Sequence, residues 1–82
     1  MYFVYVLYSE KLNKTYVGCT SNLAQRLKYH NKGRVKSTKN GVPWKIIYIE
    51  KVSSHKEARE RERWFKTIAG RRKLKQIFKN HQ

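Results

Sequence analysis

The sequence predicts an α/β fold of the α+β kind: a three-stranded, mainly antiparallel sheet flanked by helices, in the order strand, strand, helix, strand, helix, helix. Two runs, "FVYVLY" and "WKIIYIE", are rich in β-favouring residues and supply strands. Between and after them lie stretches whose apolar residues recur at spacings of three and four, the mark of helices packed by one face. The short polar link "SEKLN" joins the first run to "KTYVGC", which makes these two an antiparallel hairpin.

Each element has its own signals. The unbroken apolar character of "FVYVLY" suits a strand covered on both faces. "TSNLAQRLKYHNKG" offers Thr20 and Ser21 as caps, repeats apolar residues at Leu23, Ala24 and Leu27, and stops near Gly33. "NKGRVKSTKNGVP" carries Lys32, Arg34, Lys36 and Lys39 with two glycines, one proline and no period, long for an idle connection in a small protein. "WKIIYIE" is the third strand. Ser54 and Glu57 form a capping box that opens "HKEARERERWFKTIAG", which Gly70 can end. "RRKLKQIFKN" is then a short basic helix whose Leu74, Ile77 and Phe78 face inward.

Composition bounds the rest. Eighty-two residues with 39% apolar side chains make a single domain over 1–82, with enough material for one core. Twenty Lys and Arg against five acids, all of them glutamate, give a formal charge of +15, which draws polyanions and points to nucleic acid. A membrane surface fits less well, because the amphipathic helices spend their apolar faces on the core. The lone Cys19 cannot form an internal disulfide, and three scattered histidines offer no zinc-ligand spacing. "MYFVYVLY" is too short to span a bilayer and lacks the basic start of a secretory signal. A cytoplasmic, nucleoid-associated protein is expected, with no membrane partner and no other protein partner that the sequence reveals.

One acid breaks the pattern. Ala58, Glu62, Phe65 and Ala69 fall on one helical stripe, so Glu62 is aimed inward while Glu57 and Glu60 are not. An inward carboxylate needs a cation. The plain candidate is an ion pair with an arginine such as Arg26; the other is magnesium, which commonly takes one or two carboxylates, several waters and a substrate phosphate. Arg26 and His30, four apart on the first helix, can lean over the sheet edge or simply mark its boundary. Tyr5 and Tyr16 can be aromatic filling.

Taken together, "FVY" at Phe3 to Tyr5, "YVG" at Tyr16 to Gly18 eleven residues later, then Arg26, His30 and Glu62, resemble the GIY-YIG nuclease family in order and spacing. The likeness extends to "HNKG", to Thr38 in the basic loop, to the "PW" before the third strand and to "EARERERWFK", and so covers nearly the whole chain. It is greatest to small stand-alone bacterial members. Phe3 stands where the signature has its first glycine, and Val17 where it has isoleucine.

The resemblance implies a GIY-YIG-like fold and a metal-dependent DNA endonuclease using Mg2+ or Mn2+. Glu62 would be the metal ligand, Arg26 the contact to the scissile phosphate and Tyr5 the acceptor of a proton from the attacking water. Tyr16 and Gly18 would complete the signature, and His30 would sit beside the nucleophile. Arg26, Lys32, Arg34, Lys36 and Lys39 would bind the nucleic acid. A cationic neighbourhood is expected to favour the Tyr5 phenolate, with His30 the alternative base. No base-reading motif is present, so structure selectivity or weak specificity is expected, in repair or recombination. Two other classes remain open: a non-catalytic basic nucleic-acid-binding module, and a small ribonucleoprotein component.

Overall fold

The computed structural model of the chain describes residues 1–81. Strands β1 (Tyr2–Ser9), β2 (Lys14–Thr20) and β3 (Trp44–Val52) form one sheet in the order β2-β1-β3, with both pairings antiparallel. Helices α1 (Leu23–Asn31), α2 (His55–Trp64) and α3 (Ile68–His81) complete the predicted order, with a single 3-10 turn at Lys39–Gly41 between α1 and β3. Because β1 is central, Val4 to Leu7 are buried on both faces, which is why the run carries no polar alternation.

Strand alternation divides those residues between two cores. Val4 and Val6 pack with Ala58, Phe65 and Ile77 beneath α2 and α3. Tyr5 and Leu7 pack with Trp44 and with Leu23 and Leu27 of α1 on the opposite face. The loop from α1 to β3 is fastened to the second core: the Asn31 side chain accepts from the Trp44 N–H at 2.6 Å and donates to the Trp44 carbonyl at 3.0 Å. The Trp44 indole N–H donates to the Thr38 carbonyl at 2.7 Å, and Thr38 itself is buried. The basic loop is therefore anchored through its uncharged residues.

Local detail differs from the sequence expectation at the α1 cap, at Ala24 and at Gly70, while α1 stops near Gly33 as expected. The α1 cap is Asn22, whose side chain accepts from the Gln25 N–H, while Thr20 instead accepts from Asn22 N–H; Ala24 faces solvent. Lys32 closes α1 and Gly33 follows with φ of +72°, the left-handed conformation that glycine adopts without strain.

The larger correction concerns Gly70. Helix α2 ends at Trp64, and Gly70 lies inside α3, buried. Thr67 makes the break, since its hydroxyl donates to the Trp64 carbonyl at 2.6 Å and accepts from the Gly70 N–H at 3.1 Å, capping the new helix. A methyl group on Gly70 would overlap the Trp64 carbonyl oxygen and the Phe65 Cα, so this glycine permits α3 to cross the end of α2 at close range. The same break turns Ala69 to solvent, outside the inward stripe of Ala58, Glu62 and Phe65.

Candidate active site

A cleft of about 270 Å3 wraps around edge strand β2 where α1 and α2 approach it from opposite faces. Strand β1 supplies Tyr5, β2 supplies Tyr16, Gly18 and Cys19, α1 supplies Arg26, and α2 supplies His55, Arg59 and Glu62. Tyr5, Tyr16, Gly18, Arg26 and Glu62, predicted from the sequence, are thus brought to one place.

His30 stands directly behind them, fully buried rather than leaning over the sheet edge. The Tyr5 hydroxyl lies 3.0 Å from His30 Nε2, and His30 Nδ1 lies 2.7 Å from Thr38 Oγ1. The Thr38 hydroxyl has the Val35 carbonyl at 3.4 Å as an acceptor. If Thr38 donates to that carbonyl, its oxygen accepts from His30 Nδ1–H, which leaves Nε2 as the acceptor for the Tyr5 hydroxyl. One direction of hydrogen bonding then satisfies every group from the cleft to the loop. Burial, reinforced by the Arg26 charge, pushes the His30 imidazole down to about 4, so it is neutral near pH 7 with that lone pair available.

Tyr5 does not behave as a free phenolate. Its burial raises its pKa above the ordinary tyrosine value, outweighing the Arg26 guanidinium beside it, which acts in the opposite direction. Burial thus favours a neutral phenol hydrogen-bonded to a neutral imidazole. Gly18 forms the floor under this phenol: a methyl group there would overlap the Tyr5 hydroxyl oxygen and come within 2.7 Å of its Cζ. Tyr16 packs edge-on against His30, ring centroids 5.2 Å apart.

Glu62 is half-buried, as its helical position predicts, but its partner is not Arg26. Among the described residues the ion pairs are Lys45 with Glu10 and Arg61 with Glu50, and Glu62 is in neither. Arg26 is drawn to Tyr5 on the α1 side instead. Among the described residues Glu62 is the only carboxylate lining the cleft. It touches the Cys19 thiol, whose pKa burial and the adjacent carboxylate together push up to about 11, which keeps the sulfur protonated.

No group of three or more His, Cys, Asp or Glu side chains converges on a metal position among the described residues. A single unpaired carboxylate in a cationic cleft nevertheless suits a hard ion such as magnesium, which takes its other oxygens from water and phosphate. Glu62 fits that role, and Arg26 and Arg59 line the same cleft.

Several expected contacts lie elsewhere. Lys32, Arg34, Lys36 and Lys39 are exposed, and none lines the cleft. Conversely Arg59, His55 and Cys19 were not expected there. His55, Arg59 and Glu62 sit at spacings of four and three on α2, so once Glu62 is placed the helical repeat points to the other two.

Residues 1–75 match the family described as the GIY-YIG catalytic domain. The chain is 39% identical over 77 residues to a UPF0213 protein of Staphylococcus haemolyticus, covering 93% of each. It is 37% identical over 78 residues to a UPF0213 protein of Clostridium perfringens, covering 94% of this chain and 83% of that one. A UPF0213 protein of Bacillus licheniformis is 36% identical over 77 residues, 93% of this chain and 78% of the relative. No solved structure matches the chain.

Proposed function

The chain belongs to the GIY-YIG nuclease family, and on that premise we propose that it is a magnesium-dependent endonuclease that makes single cuts in DNA, selecting distorted structure over sequence, in repair or recombination within the cell. The observation that carries the reading is the Tyr5–His30–Thr38 hydrogen-bond chain ending in a cleft that also holds Arg26 and an unpaired Glu62. A protein that only bound nucleic acid would gain nothing from a buried proton acceptor behind a tyrosine, or from a carboxylate that repels phosphate.

The residues divide the work. Arg26, with Arg59 across the cleft, binds the non-bridging oxygens of the scissile phosphate and stabilises the charge that grows on them. As water attacks phosphorus, its proton passes to the Tyr5 oxygen while the Tyr5 proton passes to His30 Nε2. The tyrosine ends neutral and the imidazole ends protonated. His30 is a weak base chiefly because of its burial and secondly because of Arg26; a phosphate that neutralises the guanidinium removes the second of these and raises its basicity as the substrate arrives. Thr38 holds the imidazole tautomer that makes the transfer possible. A divalent ion held by Glu62 would supply Lewis-acid stabilisation of the phosphoryl and leaving oxygens.

The test is nicking of supercoiled plasmid and cleavage of a branched oligonucleotide, with magnesium, with manganese and with chelator, beside Glu62→Gln. Cleavage that requires the ion and is lost in the variant, with DNA binding retained, is the expected result. Equal cutting by the variant removes Glu62 as the metal ligand. Binding without cutting by either protein replaces the enzyme with a basic binding module.

A further inference from the structure

Apart from the cleft, a groove of about 760 Å3 lies between the β1–β2 hairpin and α3. Arg71, Leu74, Lys75 and Phe78 recur along one flank of α3 at i, i+3, i+4 and i+7, and face Tyr8 and Lys14 of the hairpin across it. Three cations and two aromatic rings therefore line one depression, and no glutamate does. The Tyr8 and Phe78 rings pack with centroids 5.1 Å apart, and the Tyr8 hydroxyl is pinned by a 2.9 Å donation to Asn13 Oδ1.

This concentration of charge is costly to the fold. Arg71 and Lys75 are like charges one turn apart, which opposes helix formation, and α3 carries no acidic residue to offset them. The groove is also aligned with the cleft. Thr15, at the groove, and Cys19, at the cleft, lie on the same face of edge strand β2, four residues or about 13 Å apart. A chain of phosphates leaving Glu62 along β2 would run into it.

We propose that this groove binds an unpaired stretch of the substrate strand, with Lys14, Arg71 and Lys75 on phosphates and a base against the Tyr8–Phe78 pair. The combination of basic walls and aromatic platforms is the general chemistry of single-strand binding. The inference rests on the reading of the chain as a DNA-acting protein and adds the substrate's form: a junction between duplex at the cleft and single strand at the groove.

The experiment measures binding in chelator, so that it does not depend on cleavage. A duplex carrying a single-stranded tail at either end and the matching blunt duplex are titrated with wild type, with Arg71→Ala/Lys75→Ala, and with Lys56→Ala/Lys66→Ala, which removes equal charge from exposed positions outside the groove. The groove variant is expected to lose about tenfold on one tailed duplex and little on the blunt one, with the salt slope falling by about 1.4. The control variant keeps the tail preference. Equal losses by the two variants, or equal losses on tailed and blunt DNA by the groove variant, overturn the groove. Failure of the wild type to cut with magnesium would sink the nuclease reading alone, leaving the tail result standing.

Discussion

Two half-buried glutamates lie on opposite sides of α2, and the molecule treats them in opposite ways. Glu50, on β3, receives two donations from the Arg61 guanidinium, Nε to Oε1 at 2.8 Å and Nη2 to Oε2 at 2.9 Å, and a further one from the Tyr48 hydroxyl. Arg61 in turn lies 4.0 Å over the Trp64 ring. Glu62, the next residue along the helix, faces the other way into the cleft and has no ion-pair partner among the described residues. Burial alone does not mark a functional carboxylate. What distinguishes the two is whether the fold itself satisfies the charge: at Glu50 every need is met from within, and at Glu62 the need is left for something that arrives.

That contrast is broken or sharpened most forcefully at Glu62. Glu62→Gln is expected to lower the plasmid-nicking rate by at least about 1,000-fold while leaving DNA affinity and melting temperature close to wild type. A variant that melts earlier but still cuts would make Glu62 a second Glu50. Tyr5→Phe comes next, with a loss of about 100-fold or more in the same assay, since the phenol oxygen is the only atom removed. Retained activity there would transfer the base role to His30 acting through water.

The third measurement titrates the buried end of the chain. His30 has a folded pKa near 4 against an ordinary histidine value of 6.5, so the folded state resists the proton that the unfolded state takes up. Its contribution is present above pH 6.5 and is lost as pH falls toward 4, at a cost on the order of 3 kcal/mol. Denaturant unfolding followed from pH 7 to pH 4.5 should show that decline. The slope should flatten in His30→Gln, and if it does not, another group governs acid stability.

Much of this was legible in the sequence, for reasons that differ by residue. The strand order followed from apolar runs that report burial directly, and Glu62 announced itself because a carboxylate on an apolar stripe violates the helical pattern. His30 was visible through its family position, but its complete burial was not, because Thr38 reaches it only after the loop folds back on Trp44. Gly70 misled because a glycine near a helix end reads as a stop, whereas here it answers a steric demand from Trp64 that exists only in three dimensions. The basic loop showed its charge but not its place, since charge marks a surface that meets phosphate without saying where that surface lies relative to the cleft. The Glu50–Arg61 pair gave no periodic signal, since strand and helix meet there through tertiary packing.

The smallest effect is expected at that pair, and it completes the comparison. Glu50→Gln keeps the side chain's shape and its Tyr48 contact but removes the charge that Arg61 was placed to meet. Both partners retain some exposure, 19% for Glu50 and 32% for Arg61, so water recovers part of the loss and the cost should be about 1–2 kcal/mol. The Arg61 ring contact to Trp64 should survive, holding the guanidinium in place. Acid should matter less to the variant as well: Arg61 keeps the Glu50 carboxyl below its usual range, a stabilisation present above that range and lost as pH falls through the depressed value. Cleavage by Glu50→Gln should equal wild type at a temperature where both are folded. A loss of cutting without a loss of stability would mean that the two sides of α2 are coupled, and that Arg61 transmits strain to Glu62 through the helix they share.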